Sequence, residues 1–192
     1  PVADETPKPD STFMLKAVRI AFPDLFVAVQ FEGKGPFNYR ATALIEKGSE
    51  NDKIVLAAIE RAGLAKWEKK WPEIKKTVEG QSQKFCYING DQKAYDGYEG
   101  KMALTMSRPK ESGPVLVLSK NPKVPLTAED GVIYGGCYVN VKAQLWAQDN
   151  DFGKGIRCSL ITVQFFSDGE SFGGAPRATA DGFEDVESVE NG

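Results

Sequence analysis

Apolar and polar positions alternate with a period of two over much of the chain, most cleanly across residues 137–147. There Cys137, Val139, Val141, Ala143, Leu145 and Ala147 interleave with Tyr138, Asn140, Lys142, Gln144 and Trp146. Successive side chains of a strand point to opposite faces, so the pattern predicts a strand with one apolar face and one polar-aromatic face. On the second face Tyr138, Lys142 and Trp146 recur every four residues, roughly 13 Å apart at ~3.3 Å per residue. Two flat rings with a cation between them suit an extended polyanion whose bases stack. The plainer reading is that another element covers the rings.

Other strands follow from the same signal. Residues 12–22 place Phe13, Leu15 and Ala17 on one face and Met14, Lys16, Val18 and Ile20 on the other. Residues 22–26, FPDLF, read as a turn, because proline fixes φ and donates no ladder hydrogen bond. Strands are expected over 26–31 and 37–45, with a glycine-rich loop between them, and over 101–107, 115–118 and 156–166. The turn at 149–155, DNDFGKG, puts Phe152 and Lys154 at its tip and Arg157 just beyond it. A phosphate-cradling loop would require a helix to follow, and a strand follows instead.

Between residues 49 and 78 the period changes. Ser49 is placed as an N-cap with acids in the first turn, and Ile54, Val55, Ala58, Ile59 and Ala62 recur at helical spacing. Gly63 is expected to bend or stop this helix, and Pro72 to open a fresh turn. Lys66, Lys69, Lys70, Lys75 and Lys76 surround Trp67 and Trp71. That is either a solvated basic face with the indoles packed inward or a flank for a nucleic-acid backbone. Residues 80–101 are loop-rich, with Tyr95 and Tyr98 beside Lys93 and Lys101. These tyrosines either clamp bases or anchor the loop. Many short strands, strong turn signals and one helical insert predict a mainly β, Greek-key barrel.

Composition narrows the chemistry. The chain has no histidine, which removes Ser-His-Asp and Cys-His catalysis and the commonest zinc ligand. Cys86, Cys137 and Cys158 are odd in number and widely spaced, which speaks for free thiols in a reducing compartment. No apolar run approaches the ~20 residues of a bilayer span, and the polar N-terminal segment does not read as a secretory signal. The last twelve residues carry Asp181, Glu184, Asp185, Glu187 and Glu190 with no Lys or Arg, so 24 basic residues face 22 acids in the rest of the chain. A mildly basic body with an acidic tail fits contact with nucleic acid. Three parts are therefore expected: a flexible segment 1–11, one domain over 12–180, and a disordered acidic tail over 181–192.

The runs IYGGCYVNVKAQLWAQDNDFGKGIRCSLITVQFFSDGESFGG, FPDLFVAVQFEGKGPFNYRATALIEK, AKWEKKWPE and GYEGKMALTMSRPK together resemble phage single-stranded DNA-binding proteins of the OB-fold type. This family was formerly an uncharacterised phage domain. The likeness spans most of residues 12–174, and YGGCYVN and NDFGKGIRCSL are its most specific parts. It implies an OB barrel, binding of single strands with little sequence preference, no catalysis and no cofactor. It also implies a place in the cytoplasm of an infected bacterium, away from membranes, serving replication or recombination.

The candidate contacts come from the residues themselves. Tyr138, Lys142 and Trp146 lead; Arg157, Lys154, Arg40 and Lys101 would meet phosphates; Phe152, Tyr39 and Tyr98 are second-rank stacking rings. Asp181, Phe183, Glu184, Asp185, Glu187 and Glu190 would recruit phage or host replication proteins, as such tails do in replication-type binders. Phe183 departs from that pattern by lying inside the tail instead of at its end. The competing reading is a structural or adaptor barrel of the phage that binds protein through the same aromatic face. A metal-dependent nuclease would need convergent carboxylates, and Asp149, Asp151 and Asp168 sit in turns where acids are common anyway.

Overall fold

In a computed structural model that describes residues 12–173, seven strands and two helices surround a main core, with a smaller apolar cluster beside it. The strands are β1 (Thr12–Phe31), β2 (Lys34–Glu46), β3 (Tyr87–Asn89), β4 (Lys101–Pro109), β5 (Leu116–Leu118), β6 (Tyr138–Asn150) and β7 (Gly153–Ser167). Strands β3, β4, β2, β1, β6, β7 and β5 lie in that order, and a parallel bridge from Ser107 in β4 to Ser159 in β7 closes the sheet. The result is a five-stranded barrel, β1-β2-β4-β7-β6, of OB type, with β3 paired to β4 and β5 to β7.

The alternation of β6 is as expected. Val139, Val141, Ala143 and Leu145 are fully buried, and they meet Leu15, Ile20, Ala43, Leu104, Met106, Ile156 and Leu160 in the barrel interior. Each large aliphatic side chain so buried contributes about 1.5–3 kcal/mol.

Strand β1 departs from expectation twice. The inward set is Phe13, Leu15, Val18 and Ile20, so the two faces exchange between Leu15 and Val18. A bulge causes it: Ala17 takes φ 52°, and its N–H donates to Asn140 Oδ1 at 2.9 Å. Asn51 satisfies the neighbouring peptide, accepting from Lys16 N and donating to Lys16 O. Nor does the chain turn at 22–26. The register steps from Ala21↔Thr42 to Asp24↔Arg40, leaving Phe22 and Pro23 as a second bulge in one continuous strand. A bulge spares proline the donor it lacks.

Helix α1 (Glu50–Trp67) starts at Ser49, whose Oγ accepts from Asp52 N at 3.2 Å. Gly63 does not stop it. The Trp71 indole packs so closely that a Cβ at residue 63 would lie 2.2 Å from Trp71 Cδ2. After a short 3-10 turn comes α2 (Trp71–Val78), with Pro72 in its first turn. Val55, Ala58, Ile59, Trp67 and Trp71 join the barrel core. The two indoles stack at 5.6 Å; Trp67 donates to Asp149 at 3.1 Å and Trp71 to Glu60 at 2.9 Å. The tryptophans are thus packed inward, and the lysines around them form the helix surface.

A smaller cluster lies outside the barrel, where Leu44 and Ala103 meet Ala21, Ile88, Tyr98 and Phe172. The segment after β7 returns to seal it. Arg19 sits over the Phe172 ring at 4.3 Å and donates to the carbonyls of Gly136 and Glu170.

Candidate nucleic-acid interface

The outer face of β6 and β7 carries the best-placed of the candidates. Trp146 is half-buried and stands directly across from Arg157. The Arg157 Nε donates to Gln148 Oε1 at 3.1 Å, a neutral partner that orients the guanidinium and leaves its charge uncompensated. Lys142 and Lys154 are exposed, and neither they nor Arg157 forms an ion pair among the described residues. Phe152 tips the β6–β7 hairpin at 88% exposure, on a turn that needs Gly153 at φ 101°.

Barrel closure extends this face in a way that strand spacing along the sequence cannot reveal. Arg40 pairs with Ser107, Ser107 with Ser159, and Ser159 with Gln144. All four alternate with buried residues of the barrel interior, so they form one outward row across β2, β4, β7 and β6. Arg157 and Trp146 lie two residues along from that row.

Other candidates are placed differently from expectation. Tyr39 is buried in the core, because it shares the inward parity of Ala41, Ala43 and Ile45. Tyr98 is buried in the outer cluster, and that burial raises its pKa. Tyr138 is half-buried, with the backbone of Gly169 running against its ring. It lines a cleft of about 200 Å³ with Arg19, Asn51 and Lys101, at the end of β6 remote from Trp146. Two of the proposed phosphate contacts already have carboxylate partners: Arg40 Nε lies 2.7 Å from Asp24, and Lys101 Nζ lies 3.0 Å from Glu46. The six tail positions, Asp181 to Glu190, lie outside the described residues.

The exposed rings of Phe31 and Phe22 escaped the sequence reading, whereas Tyr95 was already among the tyrosines expected to clamp bases or anchor their loop. Phe31 is 70% exposed at the β1–β2 turn, where Glu32 and Gly33 both take positive φ as a two-residue hairpin requires. Phe22 and Tyr95 are each about half exposed and set edge to face, with centroids 5.0 Å apart. The only hint of Phe22 in the sequence is an aromatic residue before a proline inside a long β run. Among the described residues no cluster of His, Cys, Asp or Glu is arranged to hold a metal ion, and no helix is long and apolar enough to cross a membrane.

An OB-type barrel with free cations and exposed rings on its outer surface belongs to the oligonucleotide-binding class of folds. Within that class, the family model described as "Enterobacter phage Enc34, ssDNA-binding protein" matches residues 11–192, and the chain belongs to this family. A curated relative, "Putative protein p50" of Acyrthosiphon pisum secondary endosymbiont phage 1, is 42% identical over 179 residues, covering 92% of this chain and 94% of the relative. The single-stranded DNA-binding protein of bacteriophage Enc34, solved in complex with ssDNA, has the same fold: TM-score 0.69, 23% identity, 86% of this chain and 91% of that one. Gp2.5, a single-stranded DNA-binding protein of bacteriophage T7, is more distant, with TM-score 0.54, 17% identity and coverage of 91% and 96%.

Proposed function

We propose that this protein binds single-stranded DNA of a phage, without catalysis, in the cytoplasm of the infected host, where it protects the strand during replication or recombination. The carrying observation is the pairing of Arg157, uncompensated, with Trp146 on the outer face of an OB barrel in a chain of this family. Trp146 and Phe152 supply surfaces on which bases stack, worth about 1–3 kcal/mol per base. Arg157, Lys142 and Lys154 neutralise phosphates, so affinity falls as salt rises. Rings accept any base, and weak sequence preference follows.

A fluorescence titration with single- and double-stranded DNA of equal length tests this reading. Tighter binding of the single strand, weakening with salt, is the expected result. Equal or absent binding of the two would favour the adaptor reading instead.

A further inference from the structure

We propose that Phe22 and Tyr95 form a second base-stacking site, at the end of the outer row remote from Trp146. The proposal rests on the single-strand reading above and adds to it a place where an unpaired base is held.

The backbone at Phe22 is the first argument. Its φ is 50°, a region that bulky residues rarely adopt, and Pro23 follows it. Burial of the ring does not offset the strain, since the ring is 48% exposed. Backbone strain of this kind persists where the surroundings fix it and clusters at ligand sites. Here the bulge turns the ring outward, beyond the face that β1 otherwise buries.

The setting of the ring is the second. Tyr95, 51% exposed, meets Phe22 edge to face at 76°. Tyr98 lies beneath both, 6.3 Å from Phe22 and 5.2 Å from Tyr95, and is buried. Two half-exposed rings resting edge-on against a buried third give an apolar step with ring surface open to solvent. An edge-to-face pair is about as broad as one base and leaves ring surface open for stacking.

Position is the third. Asp24, two residues beyond Phe22, pairs with Arg40, and Arg40 begins the row that runs through Ser107 and Ser159 to β6. Followed round the barrel through β2, β4 and β7 at ~4.8 Å per strand, the row from Asp24 to Gln144 is roughly 19 Å long, although β1 and β6 also pair directly nearer the start of β1. A single strand running across the sheet from one aromatic step to the other would pass Arg40 and Arg157 on the way. The occupant is therefore nucleic acid continuous with the Trp146 face.

The test compares the full chain with Phe22→Leu and Tyr95→Leu, which keep apolar bulk and remove the flat ring. Phe22→Gly, which suits the positive φ, serves as a second variant should either leucine disturb the fold, as read by the thermal midpoint. Anisotropy with a short single-stranded oligonucleotide is expected to show about tenfold weaker binding for each variant, with an unchanged salt slope. On an oligonucleotide made of abasic residues, parent and variants are expected to bind alike, since no base remains to stack. The site is refuted if the parent binds and the folded variants match it on the ordinary strand, as they would if the rings served a protein partner. It is equally refuted if the variants lose as much affinity on the abasic strand. Absence of binding by the parent would instead remove the single-strand reading, and this site with it.

Discussion

Arg157 stands directly across from Trp146 in the β6–β7 pairing, and its guanidinium is held by the Gln148 amide with no ion pair among the described residues. A cation oriented by a neutral partner keeps its charge for a ligand. Arg157→Ala is therefore expected to lower the slope of log K against log salt by about one phosphate contact. Trp146→Ala is expected to weaken binding by about 1–3 kcal/mol with little change in slope. Gel shifts over a salt series separate the two, and Lys142→Ala should resemble Arg157→Ala. No change in either property would remove this face from the interface.

The ion pair between Arg40 and Asp24 makes the opposite prediction. Both side chains are a third or more exposed, so the pair contributes at most about 1 kcal/mol to stability. Asp24→Asn would release Arg40 for phosphate. Tighter binding at low salt and a steeper slope are expected, with the thermal midpoint nearly unmoved. An unaltered slope would place Arg40 off the path of the strand.

Gly63 tests the packing of the helices. A methyl group there would enter the Trp71 indole, itself fully buried and stacked on Trp67. Gly63→Ala is expected to destabilise by about 1–3 kcal/mol, outweighing the ~1 kcal/mol that alanine gains in a helix. Thermal or urea unfolding measures it. A stabilised variant would show that Trp71 can move aside at little cost.

What the sequence disclosed and what it hid divide along one line: local signals were legible and long-range register was not. Residues 139–145 alternate because one face of β6 meets the core and the other does not. Ser49 announced its helix because a cap acts within three residues. Tyr39 was legible too, since it shares parity with Ala41, Ala43 and Ile45, whereas Arg40 beside it belongs to the outward set. Pro23 read as a turn because a bulge is a property of two strands, and Arg40, the partner of the next residue Asp24, lies sixteen residues beyond it. Gly63 read as a stop because the indole that fills its place arrives from the next helix. The pairing of Arg40 and Lys101 with acids, and the row that closure builds from Arg40 to Gln144, depend on which strands become neighbours. Phe22 and Tyr95 come from segments more than seventy residues apart, so no spacing pattern could join them.

Buried thiols set the alkaline limit of stability. Burial pushes the Cys86 thiol up to about 12, raises Cys158 well above its ordinary value of 9.0, and raises the Tyr87 hydroxyl as well. For each group the fold favours the neutral form, so the stabilisation is complete below the ordinary pKa. It is lost as pH rises above it, when the unfolded chain ionises and the folded one does not. Stability is thus expected to be flat up to about pH 8 and to decline beyond pH 9. Urea midpoints from pH 7 to 11 would show it. Thiol reagents at pH 8 should label the native protein slowly, because little thiolate forms in the fold. Rapid native labelling of Cys86 or Cys158 would contradict both statements.

The acidic tail bears on the same electrostatics. The described chain ends at Gly173, whose N–H donates to Asp96, while Phe172 packs on Gly97 beside Tyr98. Asp181 lies eight residues beyond Gly173, a reach of at most about 28 Å. The five carboxylates of residues 181–190 are expected to visit the outer row and its cations. As a polyanion on the same molecule they would compete with phosphates, most at low salt, where screening is weakest. Deleting residues 181–192 should then tighten single-strand binding severalfold at low ionic strength and leave it nearly unchanged at high ionic strength. Equal affinities of the full and shortened chains at low salt would show that the tail does not visit the DNA face and would leave recruitment of another protein as its role.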